Sequence, residues 1–209
     1  MEQINIVGPG CVFINHVRWL ILLDNKFSIP TPIVTLTKLE HKINFIFDKV
    51  YHTSRTWHNW LPIEYKYRFL IDKNSPVQCV ETPDTNKILP TDKIIVCKND
   101  PKIAWRLYLK FCHNSAFNLG VSDYNQYKSR LNRQFKKHDD FLQKHESLLT
   151  LDNSILWQNH LDKKFYQKIV DFLQLENNYE SANSIHKAWY QLHRSSEKQF
   201  LSYLNEIFV

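Results

Sequence analysis

Residues 4–23 read INIVGPGCVFINHVRWLILL, and the parsing of this stretch decides the fold. Ile4-Asn5-Ile6-Val7 is a short apolar run stopped by Gly8-Pro9-Gly10, the pattern of a buried strand meeting a turn. From Asn15 to Leu23 the chain is apolar apart from His16 and Arg18, which is the composition of a buried helix. Strand, glycine loop, helix is the resulting unit, and two of the chain's three glycines fall in its loop. A helix N-terminus leaves several N–H groups unsatisfied and carries partial positive charge. Glycines that let the backbone approach closely can therefore hold an anion there. The candidate contacts are Gly8, Pro9, Gly10, Cys11, Asn15, His16 and Arg18. The competing reading is a plain strand-to-helix turn, in which Pro9 removes one donor. Arg18, about one turn past Asn15, either reaches back toward the loop or pairs with a carboxylate at the sheet edge.

With 209 residues, 43% of them hydrophobic, the chain can bury a substantial core, and no low-complexity linker interrupts it. The expectation is a single domain over 1–209. Its core is a strand-loop-helix arrangement over 1–111, and residues 112–209 are helix-rich with one short strand near 147–151. No stretch approaches the roughly 18 uncharged apolar residues of a spanning helix, so no membrane partner is expected. Met1-Glu2-Gln3 lacks the basic flank of a signal peptide, and the expected location is the cytoplasm, the host's if the source is viral. Lysine outnumbers arginine, and asparagine and isoleucine are abundant, a bias associated with A/T-rich phage or marine microbial genomes. Cys11, Cys79, Cys97 and Cys112 show no Cys-x-x-Cys spacing, so neither a zinc site nor a disulfide framework is indicated. The net charge of +6 and pI near 9.0 favour anionic partners without choosing among nucleotides, nucleic acids and sulfated or phosphorylated molecules.

Further along, Thr37-Lys-Leu-Glu40 has the form of a capping box. It opens a helix carrying Leu39, Ile43, Ile46 and Val50 and ending near Tyr51. Residues 51–70 are rich in aromatic and basic side chains and follow neither period, which suits an acceptor-pocket wall or a stacking platform for bases. Val77–Val80 and Lys93–Cys97 read as strands. Asp100 suits an N-cap and Pro101 a first helical position. Helices are expected from there through Phe111, over 122–145, and in two segments after a strand at Ser147–Leu151. Short buried strands alternating with helices predict an α/β fold, a mostly parallel short sheet flanked by helices, with a helix-rich C-terminal half.

Three pieces in this order resemble the sulfotransferases, whose fold is related to the P-loop nucleotide-binding proteins. They are the unit at 4–23, DKIIVCKNDPKIAWRLYLKF at 92–111, and SLLTLDNSILWQNHLDKKFYQKIVDFLQLE at 147–176. The resemblance implies binding of 3′-phosphoadenosine 5′-phosphosulfate as co-substrate. The first loop would grip the 5′-phosphosulfate and the second region, with Lys98 and Arg106, the 3′-phosphate. The implied activity is transfer of a sulfuryl group to a hydroxyl acceptor, with no metal. Where that family carries a basic residue and Ser-Gly-Thr-Thr, this chain reads GPGCVFIN. The alternative is therefore a catalytically inactive sulfotransferase-fold binding or virion-associated protein. A further alternative is a nucleic-acid binder.

Lys98 closes a strand at its carboxyl end, where open α/β sheets bind ligands; otherwise it is a solvated loop residue. The same resemblance implies a general base at the end of the second strand, where Glu81 stands, with His58 in RTWHNW as the alternative base. His186 and His193, seven apart, share a helix face. A metal site calls for closer spacing and a third ligand, and none is expected.

Overall fold

Ile4–Val7 (β1), Val77–Val80 (β4), Lys93–Lys98 (β5) and Leu148–Asp152 (β6) lie side by side in one all-parallel sheet ordered β4-β1-β5-β6. The computed structural model describes residues 3–9, 13–51, 74–80, 88, 92–115, 123–143, 145 and 147–207. Parallel strands covered on both faces read as unbroken apolar runs, and β1 is buried at all four positions. Its register pairs Val7 with Val80 on one side and with Val96 on the other. On the far side of β5, Lys98 pairs with Asp152.

Helix α1, Ile14–Leu22, follows β1 and is buried almost all round, as an apolar helix inside a layered fold must be. Its N-cap, Phe13, takes a left-handed backbone, φ 60°, and makes no side-chain cap. A short antiparallel hairpin then forms from Ile29–Pro30 (β2) and Thr35–Leu36 (β3). Sequence reading did not anticipate it. Thr31 Oγ1 accepts from the Val34 N–H at 3.0 Å and donates to the Val34 carbonyl at 2.6 Å, closing the turn.

Helix α2 spans Leu39–Phe45, and its N-cap is Lys38 without a side-chain bond, so the expected Thr37/Glu40 capping box does not form. The hairpin delivers the chain to Leu39, which puts Glu40 at the second helical position instead of the third. The helix continues as a π-turn over Ile46–Tyr51, which places the end of the segment near the expected Tyr51. Lys42 of α2 is 0% exposed. Its ammonium donates to the Asp24 carbonyl at 2.5 Å and to the Phe27 carbonyl, capping the end of α1 and the turn after it. Asp24 Oδ2 in turn accepts from the Glu176 N–H at 2.6 Å.

Helix α3, Pro101–Ser115, begins as the sequence indicates: Asp100 Oδ1 accepts from the Lys102 N–H at 2.7 Å. Helix α4, Tyr124–Leu142, is capped by Asp123, which accepts from the Asn125 and Gln126 N–H groups. After β6 come a 3-10 turn at Asn153–Leu156, helix α5 at Lys163–Leu173 and helix α6 at Tyr179–Ile207. The main core joins Ile4, Ile6, Ile95 and Leu151 of the sheet to Val17 and Leu20 of α1, Ile169 of α5 and Trp189 of α6. Helices α3 and α4 meet through Ala104, Tyr108, Tyr127 and Leu131. The α/β class and the parallel sheet are as expected. No described helix is long and apolar enough to cross a membrane.

Candidate functional site

Strand order determines where a ligand crevice opens. The chain moves from β1 to β4 on one side, then crosses to β5 on the other, so the order reverses between β1 and β5. In open α/β sheets the loops leaving two such strands at their carboxyl ends diverge to opposite faces and leave a crevice between them. The Val7–Val96 register sets the exits of β1 and β5 side by side. Gly8 and Pro9 leave β1 there, and Lys98 ends β5 there. Two motifs separated by about ninety residues are thereby made neighbours.

Gly8 is buried and its N–H donates to the Val80 carbonyl at 3.1 Å, so the β1–β4 ladder runs one residue into the loop. Arg18 is 1% exposed, and its Nη2 donates to Asn15 Oδ1 at 3.1 Å. Of its two expected orientations, the contact is the one directed back toward the start of α1. Lys98 meets the C-terminal half of α4: its ammonium is 2.9 Å from Asp139 Oδ1 and 6.0 Å from the Phe135 ring centre. Arg106 is exposed on α3. The sheet order thus gathers Gly8, Pro9, Asn15, Arg18 and Lys98 around one end of the sheet. Gly10, Cys11, His58 and Glu81 lie outside the described residues, as does most of the aromatic and basic segment at 51–70.

The His16 side chain is buried in the core, where His16 Nε2 is 3.0 Å from His186 Nδ1. Its ring stacks on Trp189 with centroids 4.2 Å apart. His193 lies on the same helix, its ring 4.7 Å from Trp189. Phe13 lies parallel to Trp157 at 5.8 Å and meets Trp189 edge-on at 4.9 Å. Burial, then the neighbouring His186 and His193, holds His16 well below the ordinary imidazole value of 6.5. Burial also lowers His186, against the pull of the Gln158 carbonyl. The shared helix face of His186 and His193 was visible in their spacing, but the partner from α1 was not. Among the described residues no group of three or more His, Cys, Asp or Glu side chains is arranged to hold a metal ion.

These features define an open α/β protein whose strand order reverses between β1 and β5, with an aromatic and histidine cluster buried where α1 meets α6. No family model matches the chain, nor does any curated protein or solved structure.

Proposed function

We propose that the protein is a sulfotransferase-like nucleotide-binding protein that takes 3′-phosphoadenosine 5′-phosphosulfate or its desulfated product at the β1/β5 crevice. The observation that carries this reading is the strand order, which brings the β1 glycine loop and Lys98 to adjacent strand ends. First-turn N–H groups of α1 together with Arg18 and Lys98 supply positive potential for the 5′-phosphosulfate, and Arg106 is assigned to the 3′-phosphate. When bound, the co-substrate supplies the sulfuryl group to an acceptor hydroxyl. Glu81, or His58, is proposed to receive the hydroxyl proton. A second reading, the same fold binding without transfer, is favoured by the Lys98–Asp139 pair, because a carboxylate already occupies the cation assigned to the anion.

Isothermal titration with 3′-phosphoadenosine 5′-phosphate tests the common part of both readings. A one-to-one heat is expected, and no heat at millimolar nucleotide rejects them together. Transfer of labelled sulfate to a hydroxyl acceptor then separates the two.

Lys98→Ala gives a second, independent check. The ion pair with Asp139 is about half exposed, so its loss is expected to cost less than about 1 kcal/mol of stability. A charge-assisted contact to phosphate is worth about 1.5–3 kcal/mol, so nucleotide affinity is expected to fall roughly tenfold or more. Unchanged affinity in the folded variant removes Lys98 from the site.

A further inference from the structure

Helix α6 is fastened to α1 by two imidazoles shielded from solvent, His16 at 1% and His186 at 0% exposure. His186 Nε2 lies 2.8 Å from the Gln158 carbonyl oxygen, which can only accept, so Nε2 carries the His186 proton. In a neutral ring Nδ1 is then the acceptor, and the 3.0 Å contact requires His16 to donate from Nε2. The result is a one-way chain from His16 to His186 to the Gln158 carbonyl. It uses one proton on each ring.

A further proton either breaks this chain or places a charge in the buried core. On His186 it would set an Nδ1–H against the His16 Nε2–H, two donors facing each other. On His16 it would place a cation against the Trp189 ring in the core. The stacked Trp189 face returns about 0.5–2 kcal/mol of cation–π attraction, less than the several kcal/mol that burying an ion costs. Among the described residues, the imidazoles that face the pair oppose the charge as well. His193 approaches His16 from α6, and His160 approaches His186 from the loop after the 3-10 turn. Arg18 lies two positions along α1, and from β4 the Cys79 thiol meets α1 at the Ile14 carbonyl.

We propose that the His16–His186 pair is a protonation-sensitive latch, which holds α6 over the N-terminus of α1 while both rings are neutral and releases it when the pair takes up a proton. Both folded-state values lie below 6.5, so the released state binds more protons than the closed one. The latch is fully closed above about pH 6.5 and weakens as pH falls below it. Release also uncovers Phe13, the left-handed residue that starts α1, from Trp189. One proton event therefore loosens both the helix and the end of the β1–α1 loop.

Hydrogen exchange on the full chain, corrected for intrinsic rates, is the test. It compares amides 182–193 of α6 with those of β1 and β5 at about pH 7.5 and about pH 5.5, either side of the ordinary imidazole value. Protection of α6 is expected to fall relative to the sheet by about tenfold per pH unit for each proton taken up. In His186→Gln the amide can accept from His16 and donate to the Gln158 carbonyl without titrating, so only His16 still responds and α6 protection is expected to fall less steeply than in the parent, by about tenfold less per pH unit. The latch is overturned if α6 protection is unchanged between the two pH values, if α6 and the sheet open together, or if His186→Gln responds like the parent chain. Should the variant not fold, imidazole titration by NMR of the parent chain decides: midpoints below 6.5 for both rings support the latch, and midpoints at or above it overturn the proposal.

Discussion

Trp189→Ala is expected to lower the free energy of unfolding by about 3–5 kcal/mol, the range for removing a large buried aromatic side chain. The side chain is 1% exposed and joins three elements at once. It stacks on His16 of α1, meets Phe13 edge-on and lies 6.3 Å from Trp157 beyond β6. Shortening it to a methyl leaves a cavity that these rings, fixed by α1 and by the 3-10 turn, cannot collapse to fill. Urea unfolding followed by far-ultraviolet circular dichroism measures the loss. Trp189→Phe, which keeps a ring beneath His16, is expected to recover part of it. A loss under about 1 kcal/mol for the alanine variant would show that the surrounding rings collapse into the space the indole leaves.

Lys42→Met is expected to cost about 2–4 kcal/mol despite matching the side chain's length. Each buried carbonyl left without a donor costs roughly 1–3 kcal/mol, and Lys42 serves two, those of Asp24 and Phe27. Removing the ammonium also relieves the cost of its burial, which lowers the Lys42 pKa against the attraction of Asp24 and Glu176. That relief offsets part of the loss, since two orphaned acceptors remain in a site without solvent. For a chain of this size the melting temperature is expected to fall by roughly 5–15 °C. A change of less than about 2 °C would mean that the turn after α1 finds other donors.

The elements legible in the sequence are those whose signals are local. Ile94-Ile95-Val96 reads as a strand because a parallel strand is buried on both faces, and Asp100-Pro101 reads as a helix start because the cap acts on its own N–H groups. The Thr37 capping box failed for the complementary reason: the start of α2 is set by the preceding hairpin. That hairpin was hidden because its strands are two residues long and Pro30 and Pro32 argue against pairing. Of the candidate site, the sequence supplied the glycine loop and Lys98 as separate motifs, whereas their adjacency follows from a strand order that no local pattern encodes. The His16–His186 contact spans 170 positions. Spacing within α6 could say that His186 and His193 share a face, but not which element that face meets.

The central place of β1 has a consequence for how the chain comes to fold. Its ladder partners are residues 77–80 on one side and 93–96 on the other, and none lies closer in the sequence. During synthesis at about 5–20 residues per second, β1 and the apolar α1 therefore wait on the order of 5–20 s before either ladder partner of β1 exists. Pairing then requires large loops to close before any ladder bond rewards them, which is slow for parallel sheets. Through that interval an uncovered strand and a helix with no polar face are both open to other chains. The N-terminal segment that organises the finished sheet is thus the part of the nascent protein most in need of protection from aggregation.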